Sequence, residues 1–163
     1  MRQKILIIAA LAALGIAVGY LLRGAAPAPP ATFTTISGER LALADLKGKV
    51  VIVNFWATSC PGCVAEMPDL VRTHNTFQPR GLETIAVAMS YDPPAYVLAY
   101  KERNRLPFTV ALDLKGEVAR AFGDVKLTPT TFVIDKRGHI VQKTVGILDF
   151  PKLHTILSKE IAK

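Results

Sequence analysis

The chain has 163 residues, of which 50% are hydrophobic and 20% are charged, and this composition fits one globular domain with an accessory segment. Its formal net charge is +7, but three of its 20 basic residues flank an apolar N-terminal run. The remaining 17 are scattered among 13 acidic residues. Because nucleic-acid binding requires a concentrated basic face, we predict no nucleic-acid partner.

The N-terminal run comprises 18 uncharged residues, from 5 to 22. As a helix it would be about 27 Å long, close to the hydrocarbon thickness of a bilayer. Two basic residues precede the run and one follows it, which predicts a cytoplasmic N-terminus and an exported remainder. We predict a retained membrane anchor over residues 1–23. A cleaved signal peptide is the alternative, but small-residue cuts after Ala26 or Ala28 would leave a proline first.

Residues 24–31 hold three prolines among small residues, which predicts a stiff, extended tether. We expect the folded domain to comprise residues 32–163, with short extended segments first, at 33–36 and 40–43.

The run VVIVNFW, Val50–Trp56, has the β-branched and aromatic pattern of a central strand buried on both faces. It leads directly into a helix that begins near Cys60 and extends to about Phe77. Strands alternating with helices predict an α/β fold, and a closing hairpin makes the sheet mixed. The later predicted strands are 83–89, 108–113, 130–135 and 139–146, and the later helices are 94–104, 116–123 and 150–161.

Cys60 and Cys63, in WATSCPGC, are the only cysteines of the chain. A purely structural disulfide is disfavoured, because so short a loop removes little entropy from the unfolded chain. A closed zinc site is disfavoured as well, because the three histidines show no paired spacing and each is expected at the surface. A Cu(I) site on the two thiolates remains an open alternative, since soft thiolates suit that ion.

Redox chemistry explains more of the motif. At a helix start, unpaired backbone N–H groups favour a thiolate, so we expect the pKa of Cys60 to be lowered. Cys60 is then the nucleophile, and Cys63, one turn further on, can resolve the mixed disulfide. Pro61 at the first turn costs no intrahelical bond, and Gly62 leaves room for another protein.

The stretch VNFWATSCPGC, with TPTTFVID much later, resembles the thioredoxin fold, a mixed central sheet flanked by helices. The tail CVAEMP and the opening FTTISGERLALADLKGKVVIVNFWATSC are similar to the membrane-anchored TlpA/ResA-type thiol-disulfide oxidoreductases of bacteria. The resemblance covers about residues 32 to 161. It implies a protein disulfide reductase on the periplasmic side of the inner membrane, with no cofactor beyond its own redox-active disulfide.

The same resemblance implies partners and further site residues. The substrates would be exported disulfide-containing proteins, such as apocytochrome c, and a membrane thiol protein would supply electrons. Pro129 matches the family's cis-proline, and the backbone of Thr128 would pair with an extended substrate segment. Glu66, at i+3 from Cys63, would relay a proton for the second step.

Three further expectations concern the surroundings of the cysteines. Asn54 stands where ordinary thioredoxins carry a buried aspartate, and an amide cannot take up a proton, so that role would fall to Glu66 or water. Trp56 is expected to pack beside the motif and shield it, and a role as an ordinary core aromatic is the alternative. Trp56 and Pro61 complete the predicted substrate-binding region. The sequence leaves open an oxidase that donates its disulfide, because the direction of exchange depends on reduction potential.

Overall fold

The computed structural model describes residues 25–163. The predicted membrane anchor lies outside these residues. Within them, every helix is too short or too polar to cross a bilayer.

A five-stranded sheet forms the centre of the domain, in the order β5-β4-β3-β6-β7. The strands β3, β4 and β5 are parallel to one another, whereas β6 runs antiparallel to β3 and β7 antiparallel to β6. The predicted mixed sheet is therefore confirmed. The strands are β3 Val50–Trp56, β4 Leu82–Ala88, β5 Thr109–Leu112, β6 Thr130–Ile134 and β7 Ile140–Val145; a separate hairpin joins β1 Thr32–Thr34 to β2 Arg40–Ala42.

In the described residues 25–163, four α-helices connect or follow these strands, and the predicted α/β alternation is confirmed. The longest helix within residues 25–163 begins with Pro61, whose missing N–H costs no intrahelical bond at this position, and it continues through Pro68. The helices are α1 Pro61–Phe77, α2 Pro94–Asn104, α3 Glu117–Ala121 and α4 Phe150–Ile161, with 3-10 turns at Leu43–Leu46 and Gln78–Arg80.

The strand β3 separates two hydrophobic cores, and all seven of its residues are buried. Because successive side chains of a strand point to opposite faces, Ile52 and Trp56 join the core beneath α1, and Val53 and Phe55 join the other core. Asn54 lies on the face of Ile52 and Trp56. The alternation thus places one polar side chain directly under the helix that carries the cysteines.

The predicted tether is in part attached to the domain. Ala28 N–H donates to the Gly138 carbonyl, and Ile140 N–H donates to the Ala26 carbonyl, each at 2.8 Å. These bonds extend the open edge of β7 with a short antiparallel bridge between Pro27 and His139. The packed part of the chain therefore begins several residues before the expected boundary at residue 32.

Candidate active site

Cys60 lies at the junction between β3 and α1, as predicted. It is the N-cap residue of α1, with extended backbone (φ −96°, ψ 106°), and Pro61 is the first helical residue. The turn before it closes with a 3.1 Å hydrogen bond from Cys60 N–H to the Ala57 carbonyl. Cys63 N–H donates to the Cys60 sulfur at 3.2 Å, so a free N–H of the first helical turn points at this sulfur.

The two cysteines form a disulfide and differ in accessibility. Cys63 is 1% exposed, whereas Cys60 is half-buried and open to solvent. A protein thiol that attacks the oxidised form can therefore reach only the Cys60 sulfur. In the reduced form, the same sulfur is the one that a substrate disulfide can reach. This asymmetry fits the predicted order of events, in which Cys60 reacts with the partner and Cys63 reacts with Cys60.

Glu66 is buried on the inner face of α1, about one turn after the buried Cys63. Its side chain is 3% exposed. One carboxylate oxygen accepts from the Asn54 amide at 3.2 Å, and the other accepts from the Leu148 N–H at 3.0 Å. Asn54 in turn donates to the Thr131 hydroxyl at 2.9 Å, because Thr131 lies opposite it on the neighbouring strand β6.

Burial raises the pKa of Glu66 above its ordinary value, although the hydrogen bonds from the Leu148 N–H and the Asn54 amide oppose this shift. Removal of the carboxylate from water penalises its charged form more than the two donors stabilise it. A carboxyl group whose pKa lies nearer neutrality can both accept and return a proton. Glu66 is therefore suited to the predicted proton relay.

Pro129 faces the turn between the cysteines, and the peptide bond that joins it to Thr128 is cis, as the resemblance implied. A side-chain carbon on Gly62 would lie 3.7 Å from the Pro129 ring, so this ring contacts the Pro61-Gly62 turn. Pro129 is buried and Thr128 half-buried. Within residues 25–163 the backbone of Thr128 makes no backbone hydrogen bond, which leaves both of its groups for an added strand.

Trp56 and Pro61, the other residues predicted for substrate binding, differ in position. Pro61 is exposed at the start of α1. Trp56 is 0% exposed and stacks at a tilt on Tyr100, with ring centroids 5.1 Å apart. A fully buried ring offers no surface to a substrate, so the structure leaves Trp56 only the shielding role or that of a core aromatic.

Several residues at this site were not singled out from the sequence. Tyr91, Leu127 and Ile147 are large exposed side chains beside the motif, at 57%, 66% and 63% exposure. A side-chain carbon on Gly62 would lie 3.5 Å from Ile147, and the Tyr91 hydroxyl is 3.3 Å from the Thr128 hydroxyl. The segment YDPP could have drawn attention to Tyr91, since an exposed aromatic before two prolines has no role in starting a helix.

The histidines and other potential metal ligands are dispersed. Within residues 25–163, no three His, Cys, Asp or Glu side chains form a group that could hold a metal ion. The expectation that all histidines lie at the surface is wrong for His74. This residue is 6% exposed, its ring nitrogen is 3.1 Å from the Thr84 hydroxyl, and burial lowers its pKa.

Comparison with known proteins agrees with this geometry. A family model described as the AhpC/TSA family matches residues 25–143. The thiol-disulfide oxidoreductase ResA of Bacillus thuringiensis subsp. konkukian is 35% identical over 132 residues, which are 81% of this chain and 75% of the relative.

Two solved structures are similar over most of the chain. A thioredoxin-like protein from Neisseria meningitidis superimposes with a TM-score of 0.79 at 37% identity, covering 86% of this chain and 93% of that one. A thiol:disulfide interchange protein of the thioredoxin family from Chlorobium tepidum gives 0.76 at 31% identity, covering 85% and 97%. With its accessible Cys60, buried Cys63 and buried Glu66, the chain thus belongs to the AhpC/TSA family and, within it, to the thioredoxin-like thiol-disulfide oxidoreductases of the ResA type.

Proposed function

We propose that this oxidoreductase acts as a reductase of disulfides in exported proteins. The observation that carries the proposal is the buried Glu66 carboxylate on the same helix face as the buried Cys63. A thiolate near a buried carboxylate is disfavoured, and a strong oxidant needs its reduced form to be stabilised. The site therefore favours donating electrons over donating a disulfide.

The reaction proceeds in two exchanges. The Cys60 thiolate attacks one sulfur of the substrate disulfide, that bond breaks, and the substrate's other sulfur leaves as a thiolate and takes a proton from solvent. Cys63 then gives its proton to Glu66 and attacks the Cys60 sulfur, which releases the second substrate thiolate. Two electrons pass from the Cys60/Cys63 dithiol to the substrate, and a membrane thiol protein restores the dithiol by the same exchange.

The substrate docks as an added strand beside the Thr128 backbone. Main-chain pairing tolerates many sequences, so selection depends on the exposed apolar side chains around the site. Apocytochrome c before haem attachment is our proposed main substrate, because its two haem-binding thiols must be reduced. Its oxidised form should react with the reduced protein faster than an unrelated peptide disulfide of equal length does.

Trapping tests the two-step assignment. In Cys63→Ala the second exchange is impossible, so full-length protein in bacterial cells should accumulate as mixed disulfides with exported proteins. These adducts should disappear on treatment with a reductant. The matched control is Cys60→Ala with Cys63→Ala, which should trap nothing. Absence of adducts in the single variant, with the protein present at normal levels, would contradict the proposal.

We further propose that residues 1–23 anchor the protein in the inner membrane with the domain outside the cytoplasm. A membrane-impermeant thiol reagent applied to intact, reductant-treated spheroplasts should label Cys60. Labelling only after the cells are lysed would show that the domain lies inside.

A further inference from the structure

Asp92 fixes the turn that carries the nucleophile. It belongs to the loop between β4 and α2, and it is 3% exposed. Both of its carboxylate oxygens accept from Thr58, one from the backbone N–H and one from the hydroxyl, each at 2.6 Å. Charge-assisted bonds of this length are strong and leave Thr58 little freedom. Thr58 is two residues before Cys60, inside the turn that leads into α1.

The same loop also reaches the other half of the site. Tyr91, the residue before Asp92, lies beside Thr128 with its hydroxyl 3.3 Å from the Thr128 hydroxyl. The loop is itself attached to the end of β3, because Met89 N–H donates to the Trp56 carbonyl at 3.0 Å and Asp92 N–H donates to the Met89 carbonyl at 2.9 Å. One short segment therefore contacts both the nucleophile turn and the substrate-pairing residue.

We propose that Asp92 is a positioning residue that sets the placement of Cys60 relative to Thr128. The proposal rests on the proposed function, in which a substrate strand beside Thr128 must present its disulfide to the Cys60 sulfur. Attack on a disulfide requires the reacting atoms in line and in contact, and small displacements are costly. Asp92 acts through Thr58 and does not itself touch the reacting sulfurs.

If Asp92 acts by positioning, its removal should slow only those reactions in which the substrate docks beside Thr128. A small aromatic disulfide, 5,5′-dithiobis(2-nitrobenzoate), reaches the Cys60 thiolate from any direction and needs no contact with Thr128. Insulin presents its disulfides within polypeptide segments and needs that contact. A change in the relation between Cys60 and Thr128 should therefore slow insulin reduction and spare the small reagent.

Two substitutions separate geometry from charge. Asp92→Ala removes both bonds to Thr58. Asp92→Asn keeps the shape, since its amide oxygen can accept from the Thr58 N–H while its NH₂ group donates to the Thr58 hydroxyl. The matched control is Asp45→Ala, which removes an exposed carboxylate from the 3-10 turn Leu43–Leu46.

The experiment measures single-turnover rate constants of the reduced, full-length protein in detergent with insulin and with the small reagent. Asp92→Ala should lower the rate constant for insulin about tenfold, since a displacement of about 1 Å between Cys60 and the docked substrate can cost up to about 100-fold. The rate constant for the small reagent should stay unchanged within about twofold. Asp92→Asn and the control should match the wild type with both disulfides.

An unchanged insulin constant in Asp92→Ala would overturn the proposal, and so would equal losses with both disulfides or an Asn variant as slow as the Ala variant. If Asp92→Ala does not fold, Thr58→Val decides the matter. It removes only the hydroxyl bond and should give a smaller loss confined to insulin. A wild-type protein that reacts with the small reagent but does not reduce insulin would instead refute the proposed function.

Discussion

Glu66 couples the chemistry of the site to pH. Because burial raises its pKa, the folded oxidised protein holds the proton at pH values where the unfolded chain has lost it. The associated stabilisation is fully present below the unfolded pKa of about 4.3 and is lost as the pH rises through the folded pKa. In Glu66→Gln this loss should vanish. The measurement is the free energy of unfolding of the oxidised protein in urea as a function of pH.

Glu66→Gln can keep the hydrogen bonds that Glu66 makes in the wild type. A flipped Asn54 amide can accept from Gln at position 66 while still bonding to the Thr131 hydroxyl. The comparison is Glu39→Gln at an exposed position, which should leave the pH profile of stability as it is. Because the lowered pKa of His74 makes stability rise with pH over the same range, the test is the difference in stability between the wild type and Glu66→Gln. A difference that does not fall from acid to neutral pH would contradict the raised pKa of Glu66.

Glu66→Gln should also slow the second exchange and leave the first unaffected. Without a proton acceptor beside Cys63, release of substrate from the mixed disulfide should slow on the order of 100-fold, the lower end of what positioned acid-base groups contribute. Rapid-quench analysis of the mixed disulfide measures both steps. Equal slowing of the two steps would assign Glu66 a role in Cys60 reactivity instead.

Gly62 lies in the first turn of α1, where the absence of a side chain leaves room for the partner protein. Gly62 sits where a side-chain carbon would contact Ile147 at 3.5 Å and Pro129 at 3.7 Å, distances that need no rearrangement. Gly62→Ala should therefore fold and should stabilise the protein by about 0.4 to 1 kcal/mol, because alanine restricts the unfolded chain.

The added methyl group of Gly62→Ala also narrows the approach to Thr128, so KM for insulin should rise more than kcat falls. Ala65→Gly, on the exposed side of the same helix, serves as the control. It should lower the thermal midpoint and leave KM unchanged. If Gly62→Ala is stabilised with an unaltered KM, the substrate does not lie against the Pro61-Gly62 turn.

The elements of this fold could be predicted from local pattern, whereas several contacts of the site could not. The run Val50–Trp56 and the helix after it follow from apolar periodicity and the cysteine motif. The hydrogen bond from Leu148 N–H to Glu66 joins residues 82 positions apart. Asp92 and Thr58 are 34 positions apart. Such pairings depend on which loops the sheet order brings together, and no local period encodes that order.

His74 shows the same limit in the opposite direction. Polar residues on a helix are expected to face solvent, yet His74 lies on the inner face of α1, where the Thr84 hydroxyl accommodates its ring nitrogen. Its ring also packs against Phe108 in a T-shaped arrangement, with centroids 5.5 Å apart. The burial becomes predictable only once β4 and β5 are known to lie beneath this helix.

At the scale of the whole molecule, the N-terminal segment and the disulfide lie at opposite ends of the sheet. Ala28 bonds to Gly138, which precedes β7, and Gly146, which follows β7, bonds to the Pro129 carbonyl. The six residues of β7 span about 20 Å. The segment that leads from the predicted anchor therefore enters the domain far from Cys60, at the opposite end of the sheet.

A chain that begins at Thr32 should be less stable than one that begins at Ala25. It lacks the two bonds between residues 26–28 and 138–140, and also the bond from Leu43 N–H to the Ala31 carbonyl. Three hydrogen bonds predict a loss of about 1.5 to 4.5 kcal/mol, measured by urea unfolding. Because the site lies at the other end, both chains should reduce insulin at equal rates below the unfolding transition. Equal stabilities would show that the segment is only loosely associated.

The central claim is that the Cys60/Cys63 pair passes electrons to its substrates. The most direct measurement is the reduction potential of this pair in the full-length protein, obtained by equilibration with glutathione or dithiothreitol buffers. A reductase should lie near the value of thioredoxin, about −270 mV. Glu66→Gln should shift the value upward, because removal of the buried carboxylate relieves its effect on the Cys63 thiolate. A potential near that of the strong oxidants of this fold, about −120 mV, would reverse the direction of electron flow and contradict the account.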